Sequence, residues 1–290
     1  MTKNIFTKNC CDGLYNSFDI HFTSARDNKC AHCIDLKYEG FGIKKPDVTA
    51  IVKTIIENQN GYDDVLFLGG EPCLYLQELI DCIKQIKEKT KLKIFVTTSV
   101  PKICYDRIDL FIQLLQIVDG INISVQHYNE EVADKIRNVP AKYDRQKFYA
   151  SLPFERKIRI NLNIVKPYLY TKEDITNCLL HYDTMGFNEI KLSEIQHGKD
   201  YFVSFEKVFG IKLQTPFYGG CQTYLKTNEI EELKGMKTPL LLKRSCFMCE
   251  ETLNASFMDG IKVAYKLFNN STPNKYGVIY ENGCLTKQWR

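Results

Sequence analysis

The stretch that decides the fold reads Ser17-Phe18-Asp19-Ile20-His21-Phe22-Thr23-Ser24-Ala25-Arg26-Asp27-Asn28-Lys29-Cys30-Ala31-His32-Cys33. Its first seven residues alternate strictly. Phe18, Ile20 and Phe22 share one side and Asp19, His21 and Thr23 the other, the two-residue period of a strand with one buried face. The strand runs into a polar loop that closes on a C-x2-C pair, a spacing that lets two thiolates from one turn grip one metal centre.

Downstream, Val48, Ile51, Val52, Ile55 and Ile56 recur at helical spacing behind Pro46 and Asp47, which mark a helix start. Val65 to Leu68 reads as a buried strand closed by Gly69-Gly70-Glu71-Pro72. A second amphipathic helix carries Leu76, Leu79, Ile80, Ile83 and Ile86, and Lys93 to Thr98 is a third strand. The alternation continues with a helix at Ile108 to Ile117, a strand at Ile121 to Val125 and a mostly helical stretch from Asn129 to about Phe148. Ile158 to Val165 follows as a strand, then a helix capped by Thr171 and ending near Met185 and Gly186, then a strand at Ile190 to Ile195. Strand and helix alternating in this way imply a parallel sheet with right-handed crossovers. Six units are fewer than the eight of a closed barrel, so the expected fold is α/β, a partial (β/α)6 TIM-like barrel.

Past residue 200 the pattern breaks into short pieces around Tyr218-Gly219-Gly220 and Asn269-Asn270-Ser271-Thr272-Pro273. The expected organisation is therefore a barrel core over 1–200 and a small irregular, cysteine-containing extension over 201–290. The composition, with 44% hydrophobic and 26% charged residues in 290, is that of a globular chain and excludes collagen, coiled coil and wholesale disorder. No apolar run approaches the length of a membrane span. The first residues hold no apolar stretch of signal-peptide length, from which a cytoplasmic location is expected. A net charge of +4 is too mild to call for a nucleic-acid partner.

The compositional outlier is cysteine, with 12. Without a secretory context so many thiols read as metal ligands or buried residues rather than disulfides. Cys82, Cys104 and Cys178 lie in apolar helical surroundings and read as small core residues. A lone C-x2-C is also compatible with zinc or a thioredoxin-like pair. What narrows the choice is the conjunction of that pair after the first strand with Gly69-Gly70-Glu71-Pro72 after the second. In parallel α/β sheets ligands gather beyond the carboxyl ends of the strands, where both features fall.

This arrangement resembles the radical S-adenosylmethionine (SAM) family, whose core is a six-unit partial barrel with C-x3-C-x2-C after its first strand and a G-G-E-P-like motif after its second. The resemblance covers roughly residues 15 to 200. It implies a [4Fe-4S] cluster on thiolates that include Cys30 and Cys33, with one iron open to the amino and carboxylate groups of SAM. A glycine turn at Gly69 and Gly70, beside Glu71 and Pro72, can approach the ammonium because it carries no Cβ. One electron from the cluster then cleaves SAM to a 5′-deoxyadenosyl radical, which abstracts hydrogen from substrate. The resemblance further implies that Thr97, Thr98, Ser99, Ser124, Gln126, Asn161 and Asn163 bind the ribose and carboxylate of SAM. Glu194 faces substrate or adenosine, His32 packs against adenine, and a flavodoxin or ferredoxin supplies the electron.

One position departs from the family pattern. Arg26 stands where the first cysteine belongs, and a guanidinium stays protonated and cannot ligate iron. Substitutes are Cys73, beside the glycine turn, and Cys10 or Cys11, which precede the first strand and start near the opposite end of the barrel. Cys221, Cys246, Cys249 and Cys284 supply enough thiols for a second iron–sulfur cluster or a zinc site. The functional classes left open are a radical SAM enzyme acting on an unidentified substrate, with a preference for peptide modification, an inactive SAM-fold binding protein, and a structural zinc protein.

Overall fold

The computed structural model describes residues 16–33, 45–140, 143–153, 157–195, 199–213, 222–244 and 276–287. The opening strand, β1 (Ser17–His21), is the one that its alternation predicts. The core units follow in chain order as α1 (Val48–Asn58), β2 (Asp64–Leu68), α2 (Leu76–Lys89), β3 (Lys93–Thr98), α3 (Lys102–Asp106), α4 (Ile108–Ile117) and β4 (Gly120–Val125). The stretch after β4 divides into α5 (Glu130–Arg137) and α6 (Arg145–Ala150), and β5 (Ile158–Ile164), α7 (Lys172–Asp183) and β6 (Glu189–Glu194) complete the core. Caps set the boundaries: the Asp47 carboxylate accepts from Ala50 N at 2.9 Å to start α1, and the Thr171 hydroxyl accepts from Asp174 N at 3.1 Å to start α7. The fold is the parallel-stranded α/β class that the alternation implies.

Beyond β6 come α8 (Phe205–Phe209), β7 (Gln222–Tyr224), β8 (Leu240–Lys243), β9 (Tyr276–Tyr280) and β10 (Leu285–Thr286). Among the described residues the strands form one ten-stranded sheet of order β10-β9-β1-β2-β3-β4-β5-β6-β8-β7. Strand β8 pairs parallel with β6, and β9 pairs parallel with β1, so the C-terminal stretch extends both edges of the core sheet. The outermost β7 and β10 are antiparallel.

One face of the sheet is apolar. Phe18, Ile20, Val65, Phe67, Ile94, Val96, Ile160, Leu162, Ile190 and Leu192 are fully buried there, in one core with Ile51, Ile55, Leu79, Ile83, Phe111 and Leu114 of the covering helices. Across β3 to β6 the opposite face is largely polar. Register aligns Thr97, Asn122, Arg159 and Glu189 as one row across β3 to β6, and Ser124, Asn161 and Lys191 as the next. A closed barrel fills its interior with branched apolar side chains. This inner face instead offers hydrogen-bonding groups, leading up to the strand ends where the sequence motifs sit.

Candidate functional site

The loop after β1 and the turn after β2 meet at the carboxyl end of the sheet. Gly69 and Gly70 have φ of +82° and +48°, a region that non-glycine residues rarely adopt. Space makes the same demand. A Cβ on Gly69 would lie 2.3 Å from Cδ2 of His21, and one on Gly70 would lie 2.3 Å from the Ala25 carbonyl oxygen and 2.5 Å from that of Thr23. Two backbone bonds fasten the loop to the turn, Phe22 N to Leu68 O at 2.9 Å and Glu71 N to Ala25 O at 2.8 Å. The segment leading to the thiols is thus laid directly over the glycine turn, on one rim.

Glu71 is the centre of that rim. Its Oε1 accepts from Cys73 N at 3.0 Å and from the Thr98 hydroxyl at 2.6 Å, and its Oε2 accepts from both Ser99 N and the Ser99 hydroxyl at 2.6 Å. The Ser99 hydroxyl also lies 3.3 Å from Asp27 Oδ1. Burial, with the Asp27 charge adding to it, pushes the Glu71 carboxyl up to about 7. Asp27 is raised too, by burial. Pro72 opens the short 3₁₀ turn Pro72–Tyr75 behind Glu71. The next loop is strained: Val100 has φ of 56°, held by its N–H to the Thr98 hydroxyl at 2.9 Å and by the Tyr143 hydroxyl on its carbonyl.

Cys30 is buried and Cys33 half-buried, joined through Cys33 N to Cys30 O at 3.1 Å. Burial and the neighbouring Cys33 push the Cys30 thiol up to about 11, against the pull of Arg137. A metal bound there would have to displace that proton. His32 between them is lowered by burial and meets Tyr201 edge-on at 6.5 Å, which links the thiol loop to the chain after β6.

Two buried arginines, which sequence reasoning missed, stand behind this loop. Arg137 ends α5 fully buried, and its carbonyl accepts from Lys29 N at 2.8 Å. Its Nε and both terminal nitrogens donate no hydrogen bond; its nearest acids are Glu130 at 3.7 Å and Asp134 at 3.9 Å. Arg145 shares the same two carboxylates at 3.4 and 3.5 Å. The hydroxyl of buried Tyr149, in electrostatic contact with both arginines, is also without a hydrogen-bond partner. A buried guanidinium with unused donors is costly unless an oxyanion fills it.

Thr97 accepts from the Asn122 amide at 3.1 Å, and Ser124 and Asn161 stand opposite one another on β4 and β5. Asn163 stands opposite Ser193 on β6. The amide oxygens of Gln126, Asn122 and Asn161 are buried and accept no hydrogen bond. Glu194 is buried at the end of β6. It shares the buried face of Ile190 and Leu192, and its carboxylate accepts from Phe205 N at 2.9 Å to start α8. Alternation along β6 carried that signal.

Whether these residues fit the groups that the resemblance implies divides in two. Unused guanidinium donors and orphaned amide oxygens suit the carboxylate and hydroxyls of SAM, while the side-chain space at Gly69 and Gly70 is taken up by His21 and the Thr23–Ala25 backbone, which leaves the turn's backbone groups for the ammonium. For an iron–sulfur cluster the chain supplies Cys30 and Cys33, while Arg26 buries a terminal nitrogen in the same loop. Cys73 is fully buried and hydrogen-bonds the thiol of Cys104 in the apolar core. Among the described residues no group of three or more His, Cys, Asp and Glu side chains can hold a metal ion. The donor set within them therefore stops at two thiols. Cys10, Cys11, Cys221, Cys246 and Cys249 lie outside the described residues, and Cys284 sits half-buried in the turn from β9 to β10. Cys82 and Cys178 are buried core residues.

The architecture is a parallel α/β sheet with a thiol loop laid on a Gly-Gly-Glu-Pro turn at the carboxyl ends of its strands. The chain belongs to the radical SAM superfamily, whose family model matches residues 23–177. SuiB from Streptococcus suis shares the fold. Its structure with precursor peptide SuiA has a TM-score of 0.59 at 16% identity, covering 95% of this chain and 60% of that one. Its structure with S-adenosylmethionine has a TM-score of 0.59 at 17% identity and the same coverage. Coproporphyrinogen III oxidase from Escherichia coli, a radical SAM enzyme, has a TM-score of 0.45 at 15% identity over 72% of this chain and 50% of its own. This chain thus spans about three fifths of the length of SuiB. No curated protein sequence matches it. No helix among the described residues is long and apolar enough to cross a membrane.

Proposed function

We propose that this protein binds SAM at the rim where the loop after β1 meets the turn after β2, as an enzyme of radical SAM type. The observation that carries the reading is the fastening of the thiol loop onto the glycine turn through Gly70, Ala25 and Glu71. Gly69 and Gly70 present backbone carbonyls to the SAM ammonium. Arg137 offers its unused donors to the carboxylate, and Ser124, Gln126, Asn161 and Asn163 line the path for the nucleoside. Glu71 contacts no ligand in this reading: its carboxylate is consumed by Thr98, Ser99 and Cys73, and it holds three loops in one geometry.

Cys30 and Cys33 would supply two thiolates to a [4Fe-4S] cluster, with Arg26 standing at the position of the third. When bound, such a cluster supplies the electron for reductive cleavage of SAM. A flavodoxin- or ferredoxin-like donor would reduce it. The substrate is a peptide or small molecule, with peptide preferred because the fold is shared with SuiB, which has been seen with a precursor peptide. The C-terminal cysteines, Cys284 included, would hold a second cluster or zinc. We keep 201–290 as a functional extension of the 1–200 core in a cytoplasmic protein.

Arg26 favours a second reading, a SAM-binding protein of the same fold without radical chemistry. Anaerobic reconstitution with iron and sulfide, then a reductant and SAM, separates them. The enzyme forms 5′-deoxyadenosine; the binding protein retains SAM without cleaving it. Stoichiometric zinc without iron would instead favour a structural zinc protein.

A further inference from the structure

We infer that Glu281 is a positioning residue for the SAM cradle, holding the His21 ring against Gly69 so that the C-terminal strand sets the shape of the glycine turn. The inference rests on the reading of Gly69 and Gly70 as the cradle for the SAM ammonium.

Register brings the pieces together. Parallel pairing of β9 with β1 sets Tyr280 opposite His21, so the residue after β9 arrives beside the end of β1. There Oε2 of Glu281 lies 3.1 Å from Nδ1 of His21, across a sequence separation of 260 residues. Both side chains are almost wholly buried, at 2% and 4% exposed. The carboxylate is not free to swing. The Glu281 carbonyl accepts from Asp47 N at 2.7 Å, and the Gly283 carbonyl accepts from the Thr54 hydroxyl at 2.8 Å. Gly283 presses so closely on Ala50 that a Cβ would lie 2.7 Å from the Ala50 Cβ. Helix α1 therefore fixes the turn that presents Glu281.

On its other side the His21 ring forms one wall of the glycine turn, with Cδ2, Cγ and Nε2 all within 2.9 Å of the place a Gly69 Cβ would take. The opposite wall, against Gly70, is the backbone of Thr23 to Ala25, which its own hydrogen bonds fix. Of the two walls only the imidazole can rotate, and Glu281 sets its angle. A buried carboxylate and imidazole are weak support for stability, since both must be desolvated and an apolar pair would pack as well. Orientation of a ring that shapes a binding turn is a role that an apolar pair could not fill.

The test uses the full chain, both as purified and after anaerobic reconstitution. Equilibrium dialysis measures SAM and 5′-methylthioadenosine, which lacks the ammonium and carboxylate. Glu281→Ala is expected to raise the Kd for SAM about tenfold or more, and to leave that for 5′-methylthioadenosine within about twofold. Glu281→Gln, whose amide oxygen can still accept from an Nδ1–H, is expected to restore most of the affinity. Nitrogen-15 histidine spectra should show His21 protonated at Nδ1 in the wild type and in Glu281→Gln, and altered in Glu281→Ala. If Glu281→Ala lowers the unfolding temperature but leaves SAM binding unchanged, Glu281 is structural only and the inference fails. Equal loss for both ligands means general collapse of the pocket and also overturns it. A wild type that binds no SAM in either preparation instead overturns the reading of the cradle itself.

Discussion

Ser99 meets Glu71 twice, its backbone N–H and its hydroxyl both donating to Oε2 at 2.6 Å. This double contact joins the loop after β3 to the turn after β2, and through Asp27 to the thiol loop. Glu71→Gln puts an amide N–H₂ where donors already converge, and should cost on the order of 2 kcal/mol in chemical unfolding.

The same carboxyl predicts a pH dependence. Its folded value of about 7 lies above the ordinary 4.5, so between those pH values the folded chain holds a proton that the unfolded chain has released. Stability is highest below about 4.5 on this account and is lost as pH rises through about 7, by on the order of 3 kcal/mol from this group. Asp27, raised in the same direction, adds to the slope. Thermal unfolding from pH 5 to pH 8 should show the fall in the wild type and a flatter profile in Glu71→Gln.

Gly70→Ala and Gly210→Ala separate backbone strain from steric contact. Both positions have positive φ, but a Cβ at Gly210 meets nothing within 4 Å, whereas at Gly70 it meets backbone oxygens of Ala25 and Thr23. Gly210→Ala should cost about 1 kcal/mol from conformation alone. Gly70→Ala should cost about 3 kcal/mol or more and weaken SAM binding, because the thiol loop must lift off the turn. Equal losses in urea unfolding would mean that the loop yields freely.

Much of this was legible before any coordinates. The strand-and-helix periods place β1 to β6 within a residue or two, because each element buries one face locally and its pattern is self-contained. That Gly69, Gly70, Thr98 and Ser99 meet at one rim was legible because they end strands of a parallel sheet. Arg137 was not: on an amphipathic helix an arginine reads as solvent-facing, and only tertiary packing of the thiol loop over α5 buries it. Nor was the parallel pairing of β9 with β1, since no local period records which distant strand closes an edge. Glu281 and His21 were therefore invisible as a pair.

Arg137→Met tests whether the unused donors await a ligand. Removing a fully buried guanidinium that makes no hydrogen bond should leave the ligand-free protein as stable or more stable by about 1 kcal/mol in urea unfolding, with Arg145 still neutralising Glu130 and Asp134. Loss of a charged hydrogen-bond donor to a carboxylate should raise the Kd for SAM by roughly 10- to 100-fold. Urea unfolding checks the first and calorimetric titration the second. Unchanged affinity would show that the SAM carboxylate is held elsewhere.

Arg26→Cys restores a thiol to the first position of the motif, in the loop already laid on the glycine turn. If the missing corner of the cluster is at that position, the variant gains the ligand that Cys30 and Cys33 lack, and iron held by three thiolates can displace the proton that burial keeps on Cys30. Anaerobically reconstituted protein should then rise from partial iron content toward a full cluster, with stronger absorbance near about 400 nm. Removal of the half-buried Arg26 cation also removes a charge that repels iron, so the gain should persist in Arg26→Ser only in part. Iron content equal in wild type and Arg26→Cys would mean that position 26 is not a corner of the site.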